Sequence, residues 1–338
     1  MLYHSTRSKA VSCGSKEAIL KGLCTDGGLY VSDDIMSVSL DMSKLMDKSY
    51  EEIVFEVFKV LLDDYTDEEL KSCIAKAYAG KFETADLTPV TKLGKYWMTE
   101  LYHGPTSAFK DMALCMLPQL MSKALKDEKI MILTATSGDT GKAALSGFQD
   151  AENIGITVFY PYGKVSDIQY LQMATQEGRN VNVAAVRGNF DDCQTGVKKI
   201  FAADSEKILK ERKISLSSAN SINVGRLVPQ VIYYIESYKK LVQDKAISYG
   251  DKIDFVVPTG NFGDILAGYY AKALGLPVGK LIVASNENNV LTDFFKTGIY
   301  DKNRDFVKTI SPSMDILVSS NLERMLYYAS GCDAEYVA

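Results

Sequence analysis

"KIMILTATSGDTGKAAL", residues 129–145, decides how the rest of the chain is read. Its first eight residues form a short apolar run, partly β-branched, which suits a buried strand better than a helix. The turn "SGDTG" follows, and a helical stretch begins near Lys142. Other strand-like runs lie outward from it: "ITVFYP" at 156–161, "NVNVAAV" at 180–186, "KIDFVVP" at 252–258 and "KLIVAS" at 280–285. Helix-patterned segments separate them, notably "DIQYLQMATQEG" and the stretch from about Asp264 to Leu274. Strands alternating with helices predict an α/β fold, with parallel sheets flanked by helices. In such sheets ligands sit beyond the carboxyl ends of strands. Both glycine-rich turns of this chain fall there.

The bulk properties narrow the function. The chain has 338 residues, 46% hydrophobic and 24% charged, enough for two domains with a real core. A net charge of −5 gives no field to attract nucleic acid or an anionic membrane. No apolar run reaches the length of a membrane span, and "MLYHSTRSKAVSCGSKEAIL" is too polar for a signal peptide. Six cysteines are scattered with no C-x-x-C pair, so reduced thiols and a cytoplasmic setting are expected, with no metal site. Residues 51–79 read as two helices broken at Asp63–Asp67, with Thr66 and Glu69 as a capping box for the second. This front portion is expected to be a mainly helical appendage without chemistry.

Four stretches can carry chemistry. In "VVPTGNFGDILAGYYA" a strand enters Thr259-Gly260-Asn261-Phe262-Gly263 and a helix leaves near Asp264. Successive N–H groups at a helix start suit a phosphate, although a plain strand–helix turn reads the same way. "TATSGDTGKAAL" fails as a P-loop, because Thr136 and Ala143 stand where glycine and a hydroxyl residue are needed. It offers Ser137, Thr140 and backbone N–H groups to a carboxylate or a second phosphate, while Asp139 reads either as a site acid or as a helix cap. "SSANSINVGRLVPQ" (217–230) supplies Asn223 and Arg226, as an anion clamp or as a cap and a solvated arginine. Finally, "ELYHGPTSAFKDMAL" (100–114) places Lys110 near a helix start, where the dipole disfavours its charged form. Burial would lower its pKa further and suit it to imine chemistry; a surface lysine is the alternative. With only His4 and His103 in the chain and no G-x-S-x-G elbow, a serine hydrolase is poorly supported.

Together "ELYHGPTSAFKDMAL", "ATSGDTGKAA", "VRGNFDDCQTGVK", "SINVGRLVPQ", "PTGNFGDILAGYYAKALGLP" and "SPSMDILVSSNLERML" resemble the threonine synthases, and the opening "CTDGGLYV" (24–31) is similar to that family's N-terminal segment. The resemblance implies a two-domain fold of type II, dependent on pyridoxal 5′-phosphate. It implies an N-terminal family segment over 1–85 and a catalytic region over 86–338. Lys110 matches the lysine that holds the cofactor. Gly260, Asn261, Phe262, Gly263 and Asp264 match its phosphate loop. Ser137, Gly138, Asp139, Thr140 and Gly141 match the loop that holds substrate and flanks the cofactor's 3′-oxygen; the aspartate, where cysteine synthases have asparagine, favours this family. Asn223, Arg226 and His103 are further candidates toward substrate. The implied reaction turns O-phospho-L-homoserine and water into L-threonine and phosphate, by a monomer or homodimer. A serine/threonine dehydratase, a cysteine synthase or a non-catalytic binding module are the competing readings. The family's hydroxyl residue toward the pyridine nitrogen sits in a T-A-H-P-like segment, and nothing like it follows Met325. The chain is therefore expected to lack the family's C-terminal part and to bind the cofactor weakly or not at all, as an inactive fragment in the second case.

Overall fold

The structure is a computed structural model that describes residues 1–136, 138–202 and 211–338. It opens with a small antiparallel sheet in the order β2-β1-β3, from β1 (Tyr3–Ser5), β2 (Ser8–Cys13) and β3 (Tyr30–Val31). Helix α1 (Ser15–Lys21) lies between β2 and β3. Helices α2 (Tyr50–Leu61) and α3 (Asp67–Tyr78) each begin with a complete capping box, Ser49 with Glu52 and Thr66 with Glu69. These reciprocal bonds satisfy otherwise orphaned donors and fix both helix starts. Ile53, Val54, Val57, Phe58 and Leu61 form the buried stripe of α2. Each such side chain contributes about 1.5–3 kcal/mol by leaving water. The front segment is thus mainly helical, as expected, with a three-stranded sheet the sequence did not announce.

The hairpin β4 (Val90–Leu93) and β5 (Tyr96–Thr99) leads to the short α4 (Asp111–Leu114) and to α5 (Leu117–Ala124). Strand β6 (Lys129–Ala135), helix α6 (Asp139–Phe148), strand β7 (Ile154–Pro161), helix α7 (Asp167–Ala174), strand β8 (Val181–Val186), helix α8 (Phe190–Ala202) and strand β9 (Ile214–Ser217) follow. They build a wholly parallel sheet in the order β8-β7-β6-β9. The expected strands are all present, and β9 is an addition. After α9 (Val224–Leu227) and α10 (Val231–Gln243), strand β10 (Ile253–Pro258), helix α11 (Gly263–Ala273) and strand β11 (Val278–Ala284) form a second parallel unit. Helices α12 (Val290–Thr297), α13 (Leu322–Ala329) and α14 (Ala334–Val337) follow.

The front segment packs into the same core as the strands. Helix α2 lies against α10, and α1 and α3 lie against α5. One continuous cluster joins Tyr3, Ile53, Leu120, Ile156, Tyr234, Leu266 and Tyr327. Arg324 of α13 is fully buried and ties distant pieces together: its guanidinium donates to Tyr30 O at 2.9 Å, to Ile222 O at 2.7 Å and to Asn321 Oδ1.

Candidate active site

Lys110 stands at the N-cap of α4, behind a loop wound around its neighbour Asp111. The Asp111 carboxylate accepts the Thr106 N–H at 2.8 Å, the Thr106 hydroxyl at 2.6 Å and the Ala108 N–H at 3.4 Å. A Cβ on Gly104 would lie 2.6 Å from that aspartate side chain, so the loop closes only around glycine. The outcome is a lysine turned inward and only 6% exposed. Its Nζ lies 3.5 Å from Asp139 Oδ2. Burial holds the Lys110 ammonium below the usual lysine range, opposed by Asp139 and assisted by Arg226.

Asp139 begins α6 and does not cap it; its carboxylate accepts from the Gln169 amide and faces Lys110. Gly138 has φ of 145°, a backbone conformation that residues with a side chain rarely adopt, and it lies against the Gln169 amide. Contrary to expectation, two N–H groups of this turn are spent internally: Gly138 and Gly141 both donate to Thr136 Oγ1 at 2.9 Å. Ser137 lies outside the described residues.

The second turn keeps its donors. Among the described residues, no protein acceptor takes the N–H groups of Gly260, Asn261, Phe262 and Gly263, which lead into the eleven-residue α11. Phe262 holds the left-handed conformation at φ 65°, with its ring stacked on Phe295 at 6.1 Å. The turn's carbonyls are tied back: the Ser319 hydroxyl donates to Gly260 O, and the Asn321 N–H to Asn261 O at 3.0 Å. The Asp264 carboxyl is engaged by the Tyr233 and Tyr234 hydroxyls.

Lys110, Thr140, Arg226 and the 259–264 turn line one cleft, together with Ser221, Gln230 and Met314, which sequence reasoning passed over. Arg226 is 2% exposed; one of its nitrogens donates to Ala219 O at 2.7 Å, and its Nε has no partner among the described residues. Burial lowers its pKa to about 10, so it stays cationic at neutral pH. Two other expected residues sit elsewhere. Asn223 caps α9 and turns inward, donating to Ile19 O at 2.9 Å and Ser218 O at 3.1 Å while accepting the Gly225 N–H. His103 pairs with Glu100 at 2.7 Å beside Tyr102, away from the cleft lining.

The family described as "Threonine synthase N terminus" matches residues 2–78, and "Pyridoxal-phosphate dependent enzyme" matches residues 85–338. A threonine synthase from Pseudomonas aeruginosa is 40% identical over 343 residues, covering 100% of this chain and 71% of that protein. The chain belongs to the threonine synthase family. Further members of the family are similar: the Schizosaccharomyces pombe threonine synthase is 41% identical over 96% of this chain, and the mouse threonine synthase-like 1 is 41% identical over 94%. The chain spans 66% and 45% of those two proteins. The structure of PLP-bound threonine synthase from Brucella melitensis superposes with a TM-score of 0.90 at 39% identity, over 100% of this chain and 71% of that one.

The cofactor of this family is pyridoxal 5′-phosphate, and the cleft fits it. An aldehyde needs an amine with a depressed pKa, which Lys110 provides. A phosphate needs convergent donors, and four unclaimed N–H groups at the head of α11 supply them.

Proposed function

We propose that the chain converts O-phospho-L-homoserine and water into L-threonine and phosphate. The observation that carries this reading is the buried Lys110 amine, 3.5 Å from Asp139, in the cleft that the open N–H groups of 260–263 also line. When bound, pyridoxal phosphate supplies the electron sink for carbanions next to the substrate nitrogen. The chain's own residues do the rest. Gly260, Asn261, Phe262 and Gly263 hold the cofactor phosphate, and Lys110 holds its aldehyde carbon. Freed by substrate, the neutral Lys110 amine takes the α-proton and delivers a proton along the substrate chain, a task for a base with lowered pKa. Asp139 holds the lysine in place. Arg226, cationic and with Nε unpartnered among the described residues, meets the phosphate of the substrate. Thr140, which lines the cleft, borders the substrate carboxylate, and Gly138 and Gly141 shape its turn through Thr136. Asn223 and His103 leave the ligand set and serve the framework.

We divide the chain into a front segment, 1–85, and a catalytic region, 86–338, acting as a monomer or homodimer in the cytoplasm; six free cysteines accord with a reducing compartment. Among the described residues no helix is long and apolar enough to cross a membrane. The test is product analysis on the 338-residue chain with added cofactor. Phosphate and L-threonine should appear in equal amounts, and a borohydride-fixed mass should map to Lys110. Oxo-acid or cysteine formation would shift the assignment to a dehydratase or cysteine synthase. Cofactor binding without any turnover would leave only a binding module.

A further inference from the structure

The head of α11 sets a puzzle: a carboxylic acid, Asp264, stands one residue after four N–H groups shaped for an anion. Its surroundings allow the protons to be counted. Gln230 Nε2 donates to the Arg226 carbonyl at 2.6 Å, which fixes Gln230 Oε1 as the atom facing Tyr233. The Tyr233 hydroxyl lies 3.1 Å from that Oε1 and 2.5 Å from Asp264 Oδ1. The Tyr234 hydroxyl lies 2.8 Å from the same Oδ1 and 3.0 Å from the Asp264 carbonyl oxygen. An amide oxygen, a carbonyl oxygen and a carboxylate oxygen are acceptors only. Two phenol protons therefore face three acceptors along four short contacts. With Asp264 ionised, Oδ1 accepts from both phenols. A further proton on Oδ1 would be accommodated without moving a heavy atom, the acid then donating to Tyr233, Tyr233 to Gln230 and Tyr234 to the Asp264 carbonyl.

We propose that Asp264 is a proton-linked positioning residue of the phosphate cradle, taking up a proton when a phosphate monoester binds at Gly260–Gly263. This rests on the reading of that turn as the cofactor-phosphate site. A dianion at the head of α11 is repelled by a carboxylate one residue away and not by a neutral acid. The titratable groups around the carboxyl are consistent with this. Tyr233 and Tyr234, from the packed helix α10, are pushed well above the usual phenol range by burial and remain donors. Burial also raises the Asp264 carboxyl, against the two phenol hydrogen bonds and the charge of Lys110 across the cleft. The neutral acid keeps a job: through Tyr233 and Gln230 it joins the phosphate turn to the backbone of Arg226, so the two anion-binding elements share one hydrogen-bonded strut.

The probe is pyridoxine 5′-phosphate, which carries the phosphate but no aldehyde, so Lys110 cannot react with it. Its affinity for the full chain is measured between about pH 5 and about pH 9, a span that reaches known buried-acid pKa values, beside that of pyridoxine. Because Asp264→Asn sees the same ligand ionisation, the ratio of the two proteins' affinities isolates residue 264. The wild-type affinity should fall relative to the variant by up to about tenfold per pH unit above the Asp264 pKa, the slope of one linked proton. Calorimetry of the wild type in buffers of different ionisation enthalpy should show net proton uptake beyond that of the ligand itself, a readout that survives if the variant fails to fold. Tyr233→Phe should keep phosphate-dependent binding while altering its pH profile. Phosphate-dependent binding with no excess proton uptake, or a flat ratio for a folded Asp264→Asn, overturns the proposal alone. Equal affinity for pyridoxine and its phosphate overturns the cradle and the proposal with it.

Discussion

Gly147 of α6 offers a test in which two ordinary expectations have opposite signs. Alanine in place of a helix-interior glycine usually stabilises by about 0.8–1.0 kcal/mol. Here a Cβ would lie 2.1 Å from the Leu114 carbonyl oxygen and 2.9 Å from its carbonyl carbon. Close C···O contacts run near 3.3 Å, so the methyl falls short by about 1.2 Å. No side chain can swing aside, because the obstacle is the backbone of α4. That backbone is held in turn: the Leu114 N–H donates to Lys110 O at 2.8 Å. Helix α6 must therefore move off α4. Overpacking of this kind costs about 1–3 kcal/mol, and a clash with backbone belongs at the upper end. Net destabilisation of about 2 kcal/mol is expected for Gly147→Ala. The same displacement separates elements that meet at the lysine, since α6 begins with Asp139 and α4 is capped by Lys110. A misplacement of about 1 Å at reacting groups costs up to about 100-fold in rate. Urea unfolding should show a lower midpoint, and borohydride fixation of cofactor on Lys110 should slow. Gly196→Ala in α8 is the control, because among the described residues nothing lies within 4 Å of a Cβ there and the helix preference remains. A Gly147→Ala protein with an unchanged or higher midpoint and wild-type fixation would refute the close approach of α4 and α6.

Two further outcomes follow from the same geometry. Lys110→Met should abolish borohydride fixation and raise the urea midpoint at neutral pH. The folded-state pKa of this lysine is depressed by burial, so the fold bears a buried charge at low pH and is relieved as pH rises from the depressed value to the ordinary lysine value; the difference between the two proteins should shrink over that window. Asn223→Ala should lose about 3–5 kcal/mol of stability, because the Ile19 and Ser218 carbonyls and the Gly225 N–H are left unpaired in a fully buried place. Its KM for O-phospho-L-homoserine should hold where that of Arg226→Leu rises; a raised KM in a stable Asn223→Ala would return that residue to the ligand set.

What could be read from sequence was local, and what could not was tertiary. Apolar runs ending in polar or glycine-bearing turns identify β6, β7, β8, β10 and β11, because strand, turn and helix start are contiguous there. Strands such as β3 and β9, of two and four residues, carry too little pattern to be seen. Asn223 and Arg226 look alike in one polar cluster and both are buried, and the packing of α1 against α9 decides that Asn223 bonds the framework while Arg226 reaches the cleft. Ser319 and Asn321 fasten the 260–263 turn from across some sixty residues of chain, with no local mark of that task.

For Lys110 the sequence offers an incomplete reason for a lowered pKa. Its place at a helix start suggested that the helix dipole depresses its charge. Yet α4 has only four residues, and the aligned peptide dipoles of so short a helix amount to little. The larger cause is burial, which the Asp111-centred loop imposes by turning the side chain inward, and Asp139 moderates it from 3.5 Å. The turn that delivers Lys110 to the cleft therefore rests on the aspartate that follows it in the chain. Asp111 is not itself a lining residue of the cleft; it acts by shaping that turn, while its charge, like that of Asp139, favours the ammonium form of Lys110.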